Sequence, residues 1–166
     1  MTIDELNNSD RFEVLNFFLQ CCGCTKWIEL MASSRPFLDK QDVLEKSEMH
    51  WNSIEYYHRM EAFLHHPKIG DIRSLKKKYS GSKLLSESEQ SGVNSASEDT
   101  LRLLSDLNTE YEKKFGFIFI VCATGKAAEE MVFCLLDRIG NSFEKEIQIA
   151  MNEQNKITKL RLEKFL

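Results

Sequence analysis

Phe117-Ile-Phe-Ile-Val-Cys-Ala123 is the stretch on which the fold class turns. It is the one strongly β-like run in the chain. Because its apolar character is continuous rather than alternating, it predicts extended backbone buried on both sides. A lone strand has nothing to pair with. The segment therefore reads as an extended piece threading a helical core, with backbone groups that need partners and that a ligand could satisfy. The plainer alternative is an ordinary buried core segment. Either way the expected fold is all-α: one compact helical domain over residues 1–166 with one buried extended segment.

Downstream, Thr124-Gly125 breaks the run, and Met131, Leu135, Leu136 and Ile139 mark a helix that stops at Gly140-Asn141. Asn141 and Glu144 open the last helix. Stepping about 100° per residue from Ile147 places Ala150, Met151, Gln154, Ile157, Thr158, Arg161 and Phe165 in one arc. Arg161 thus lies on an apolar face, where a guanidinium must snorkel, pair with a carboxylate or meet an anion.

Upstream, Leu101, Leu104, Leu107, Asn108, Tyr111 and Phe115 predict a helix with Lys113 and Lys114 in its last turn and Gly116 as terminator. Ser86-Glu-Ser-Glu89, followed by Gln90, Ser91 and Gly92, has the spacing of a capping box. Such a helix start also offers amide groups and a positive dipole end to an anionic ligand. The polar stretch from Gly70 to Leu85 reads as a solvated connection, without the spacing of a phosphate-binding loop. Before it comes Glu61-Ala-Phe-Leu-His-His-Pro-Lys-Ile-Gly-Asp71, where a helix carrying Trp51, Ile54, Tyr57, Met60 and Phe63 runs into a proline. The residue before proline is pushed out of the α region, so His66 is expected in exposed extended backbone, where the helix carbonyls favour imidazolium. A solvated histidine at a helix stop is the bland reading.

Nearer the amino terminus, Asp10 and Glu13 resemble a capping box for a helix with Phe12, Leu15, Phe18, Leu19 and Cys22 on one face, ended by Gly23. Thr25 caps a short helix through Trp27, Ile28, Leu30 and Met31, which Arg35-Pro36-Phe37 ends. A further helix spans Gln41 to His50 or joins the one reaching Leu64.

A net charge of −4 over 166 residues argues against nucleic-acid binding, which needs a strongly basic face. No run approaches the roughly 18 apolar residues of a membrane span. Five cysteines, with Cys21, Cys22 and Cys24 crowded together, read as reduced intracellular thiols. The trio lacks the second ligand pair of a structural zinc site, so no metal is expected.

Taken together, these stretches resemble the 2-oxo-4-hydroxy-4-carboxy-5-ureidoimidazoline (OHCU) decarboxylases of urate breakdown. The resemblance is carried in chain order by Arg35-Pro-Phe37, Glu61-Ala-Phe63, His66-Pro-Lys-Ile-Gly-Asp71 and Ser86-x-x-Glu89-Gln90-x-Gly92. It continues through Leu107-Asn108, Tyr111, Phe115 to Val121, Gly125, Glu153-Gln154 and Lys156 to Leu162. One departure is Leu85, where several relatives carry a tryptophan.

The resemblance implies an all-α enzyme without cofactor that converts OHCU to (S)-allantoin and carbon dioxide, typically as a homodimer. Carried over by position, His66 is catalytic, with Glu89 as its acid/base partner. Pro67, Ser86, Gln90, the backbone of Phe119, Ile120, Val121, Cys122 and Ala123, and Arg161 would line the substrate site. The family is often peroxisomal, but Lys164-Phe165-Leu166 is not a convincing address of that kind, so cytoplasm and peroxisome both stay open. Two other classes remain: a catalytically inactive helical interaction module of the same fold, and a thiol-metal protein built on the cysteine trio.

Overall fold

Helix after helix in this chain begins where a polar side chain takes up an early backbone N–H, the interaction that satisfies a helix's orphan donors. Thr2 and Glu5 form a reciprocal capping box on α1 (Ile3–Asn8). The Asp10 carboxylate accepts from the Glu13 amide at 2.9 Å to start α2 (Arg11–Cys21). Asp39 does the same for α4 (Lys40–Ser53), and Ser97 for α6 (Glu98–Phe115). The remaining helices are α3 (Thr25–Ser33), α5 (Tyr56–Leu64), α7 (Ala128–Ile139) and α8 (Phe143–Phe165). The structure, a computed structural model, describes residues 1–66 and 97–166, and among these all regular secondary structure is α-helical. The all-α expectation is met. The expected helix start at Ser86 and the polar connection before it lie outside the described residues.

The described residues fall into two compact units, divided within α8 between Gln148 and Ile149. The first comprises α1 to α5 and the carboxy-terminal part of α8. Its core packs Val14, Phe18 and Cys21 of α2 with Trp27 and Met31 of α3, Val43 and Trp51 of α4, Phe63 of α5, and Ala150, Met151 and Leu162 of α8. The Phe18 ring meets Trp27 edge-on at 5.6 Å, and the Trp27 indole N–H donates to the Ser47 carbonyl at 3.0 Å. Arg35, which precedes a cis peptide to Pro36, donates to the Leu6 and Ser9 carbonyls at 3.1 and 2.7 Å and so caps the end of α1.

The second unit comprises α6, α7 and the start of α8. Gly116 ends α6 in the left-handed conformation that a glycine adopts without steric cost, at φ 76°. Its core centres on Tyr111, whose ring lies 4.6 Å from Phe115 and 5.0 Å from Phe119. Among these apolar groups Arg138 forms a buried ion pair with Glu146, with Nε 2.7 Å from Oε1. Tyr111 donates to the same carboxylate at 2.6 Å, and Asn141 to its other oxygen at 2.8 Å. Every strong acceptor in the cluster therefore has a donor, as a buried charge requires.

Several boundaries and faces differ from expectation. In α2 the buried face is Val14, Phe17, Phe18 and Cys21, while Phe12 and Leu19 are exposed; apolar residues ring this helix, so periodicity gives it no unique phase. Cys24, not Thr25, is the N-cap of α3. The pattern from Trp51 to Phe63 covers two helices, broken at Ile54, which is extended at ψ 147°. A strict three-residue step falls short of a full turn by roughly 60°, so five such positions cannot share one helical face. On α7, Leu136 is exposed and Arg138 is buried in its stead. The Phe117–Ala123 run is neither helix nor strand, and only Phe117, Phe119 and Ile120 are buried while the other four residues are half-buried. Its Ile120 carbonyl already accepts from Arg138 at 2.8 Å.

Candidate active site

Helix α5 closes with a tightened turn, in which the His65 and His66 amides reach back three residues to Ala62 and Phe63 at 3.3 and 3.2 Å. His65 lies so close to Gly23 that a Cβ at position 23 would come within 2.5 Å of the His65 Cγ, Cδ2 and Cβ atoms. The glycine is thus required by close approach. This contact fixes the turn, and the turn delivers His66.

The His66 ring is half-buried and bonds through Nε2 to Gln154 Oε1 at 2.5 Å. Gln154 is itself fully buried on α8, donating from Nε2 to Thr158 Oγ1 at 3.2 Å, while the Thr158 hydroxyl donates to the Gln154 carbonyl at 3.1 Å. One helical face thus presents Gln154, Thr158 and Arg161 in succession.

Arg161 neither snorkels nor pairs with a described carboxylate. Its Nη1 donates to the Cys21 carbonyl at 3.2 Å and the Gln20 carbonyl at 3.4 Å, the orphan acceptors at the end of α2. A cation there complements the helix dipole. Among the described residues Nη1 is the guanidinium nitrogen with hydrogen bonds, leaving one side of the fork for another acceptor.

Electrostatics correct the imidazolium expectation. Burial pushes the His66 pKa below its ordinary 6.5, the Gln154 hydrogen bond opposes this, and the neighbouring Arg161 and His65 push it further down. Desolvation outweighs the carbonyl dipoles, so the ring is neutral at neutral pH. Burial likewise pushes the Cys21 and Cys22 thiols up to about 12, which keeps them protonated. Among the described residues no group of three or more His, Cys, Asp or Glu side chains is placed to hold a metal ion.

Of the residues singled out from sequence, His66 and Arg161 belong to the first unit and interact there; Phe119 to Ala123 belong to the second. Pro67, Ser86, Glu89 and Gln90 lie outside the described residues. Sequence reading missed Gln154 and Thr158 as functional candidates, although two polar side chains four residues apart on an apolar arc are a signal. It also missed the role of Glu61. Its carboxylate accepts from the Thr25 amide at 2.9 Å and from the Thr25 hydroxyl at 2.6 Å, joining the start of α3 to the helix that carries the histidines.

A family model described as OHCU decarboxylase matches residues 7–163. The uric acid degradation bifunctional protein TTL of Arabidopsis thaliana is 34% identical over 147 residues, which are 87% of this chain and 45% of that protein. The chain thus spans less than half of that relative's length. The 2-oxo-4-hydroxy-4-carboxy-5-ureidoimidazoline decarboxylase of Amia calva is 28% identical over 134 residues, covering 81% of this chain and 76% of that protein. A crystal structure of OHCU decarboxylase in the presence of (S)-allantoin matches with a TM-score of 0.72 and 33% identity, over 95% of this chain and 98% of that one. A crystal structure of (S)-allantoin synthase, at 18% identity and a TM-score of 0.69 over 99% of this chain and 54% of that one, agrees in fold.

Proposed function

The chain belongs to the OHCU decarboxylase family, and we propose that it is a carboxy-lyase of urate degradation that converts OHCU to (S)-allantoin and carbon dioxide. The observation that carries the residue assignment is the bond of half-buried His66 to Gln154 on α8, the helix that also presents Arg161 with donors to spare. A neutral imidazole is the form that can take a proton, and a guanidinium fork is the group that holds a carboxylate. Nothing found in the described residues or the relatives favours the inactive-module alternative.

The reaction breaks the bond between the ring carbon and its carboxylate. The electron pair passes into the adjacent imine of the substrate's own ring, so the substrate supplies the electron sink that a cofactor would otherwise provide. The 4-hydroxyl loses its proton and becomes a carbonyl, while the carbon bearing the ureido group gains one. In this reading His66 takes the hydroxyl proton and Arg161 orients the carboxylate or a carbonyl oxygen with its remaining donors. Glu89 as the second member of the acid/base pair, Ser86 and Gln90 on the ureido group or ring, and the backbone of Phe119 to Ala123 on its polar edge are roles that rest on the family resemblance.

The test follows circular dichroism of OHCU generated in place by urate oxidase and hydroxyisourate hydrolase. The expected result is an optically active product from the parent and spontaneous, racemic decay with His66→Ala. A racemic product from well-folded parent protein would overturn the assignment. The resemblance also supports a homodimer: sedimentation equilibrium is expected to give twice the chain mass of 19.3 kDa, and a monomer mass would refute it.

A further inference from the structure

Gln154 is a buried primary amide with a titratable ring on one side and a hydroxyl on the other. The three groups set one another's proton positions. Thr158 owns one hydroxyl proton and points it at the Gln154 carbonyl, 3.1 Å away. Its oxygen is then an acceptor, which takes the N–H of the Gln154 amide at 3.2 Å. This turns Oε1 of Gln154 toward His66, 2.5 Å from Nε2. An oxygen there calls for a proton on Nε2. The reverse arrangement would set the Gln154 side-chain oxygen against the Thr158 oxygen, whose one proton is already given to the Gln154 backbone carbonyl, so that two acceptors would face each other. Among the described residues Nδ1 has no bonded partner, and Arg161 and His65 are the charged or titratable groups acting on the ring.

We propose that Gln154 is a positioning residue that fixes neutral His66 as the Nε2–H tautomer, so that Nδ1 is the atom that exchanges the proton with the substrate. The assignment rests on the decarboxylase reading for what Nδ1 does, but not for where the ring proton sits. Holding the ring by its far nitrogen leaves the reacting nitrogen with its lone pair exposed and its direction set, as a carboxylate or carbonyl partner does for other working histidines. Thr158 acts one step further back, by fixing which end of the Gln154 amide faces the ring.

The test needs no substrate for its first part. In protein labelled with ¹⁵N-histidine at mildly alkaline pH, the His66 signals, identified by their loss in His66→Asn, are expected to show a protonated Nε2 and an unprotonated Nδ1. Two variants then separate positioning from packing. Gln154→Leu removes the acceptor and is expected to lower kcat about 10- to 100-fold with KM little changed. Gln154→Glu keeps an acceptor at the same place and adds a negative charge, so it is expected to recover most of the lost kcat. It should also move the acid limb of kcat/KM upward by about one pH unit or more.

A proton on Nδ1 in an active parent overturns the role of Gln154 and leaves the decarboxylase reading intact. So does a folded Gln154→Glu protein whose pH profile is unmoved, and that variant decides the question if Gln154→Leu does not fold. A parent without decarboxylase activity overturns the reaction, and the catalytic part of this proposal with it.

Discussion

His66 sits below its ordinary pKa of 6.5 because burial and the Arg161 charge disfavour imidazolium, and this has two consequences of definite sign. For activity, the base form is lost as pH falls through the folded-state pKa. The acid limb of kcat/KM is therefore expected below 6.5, and a limb above it would contradict the burial argument. For stability, the unfolded chain binds more protons than the folded one between 6.5 and that lower value. Folding then weakens as pH drops through this window. His50, lowered chiefly by burial and then by Lys46, adds to the same slope. Urea unfolding at pH 7 and pH 5.5 is expected to show lower stability at the acid value, with a smaller drop in His66→Asn. Sequence made His66 and Arg161 visible, through a proline and through a charge on an apolar arc. It could not show that one would be neutral and the other seated on backbone carbonyls, because the first depends on burial beside Gln154 and the second on the end of α2, each far away along the chain.

At the scale of elements, α3 begins without a capping side chain of its own and borrows one from α5. The Glu61 carboxylate occupies the place of an N-cap and faces the positive end of the helix dipole. Glu61→Ala is expected to cost about 1 kcal/mol, read from the denaturant midpoint. Glu61→Gln should retain part of that, since an amide oxygen still accepts. Equal losses in the two variants would argue that the dipole, not the hydrogen bond, carries the effect. Helices whose starts use their own nearby residues were legible from sequence: α2 from Asp10 and Glu13, and α8 from the polar residues around Asn141. The faces of α2 and the break between α4 and α5 were not. One helix is apolar nearly all round, and the other boundary depends on Ile54 turning its side chain into the core.

For the molecule as a whole, a buried ion pair among the described residues of the second unit is a liability. Arg138 and Glu146 are both buried, and each depends on the other and on Tyr111, Asn141 and the Ile120 carbonyl. Burial, then Glu146 itself, pushes the Tyr111 pKa up, so the phenol stays a donor. Glu146→Gln strands the guanidinium and is expected to cost about 3–5 kcal/mol, a large share of the stability of a domain this size. Equilibrium urea unfolding followed by far-UV circular dichroism measures it, and a loss under about 1 kcal/mol would mean that the arginine finds another partner. The all-α class was readable because the one β-like run had no mate. The polar network beneath that run was not, because Tyr111, Arg138 and Glu146 are spread over three helices. The contact between Gly23 and His65 has a further consequence, in the record of sequence change. Two positions 42 apart share one volume, so position 23 cannot gain a side chain alone: across the family, a residue other than glycine at position 23 should occur only where position 65 is itself glycine or the turn that carries it is displaced.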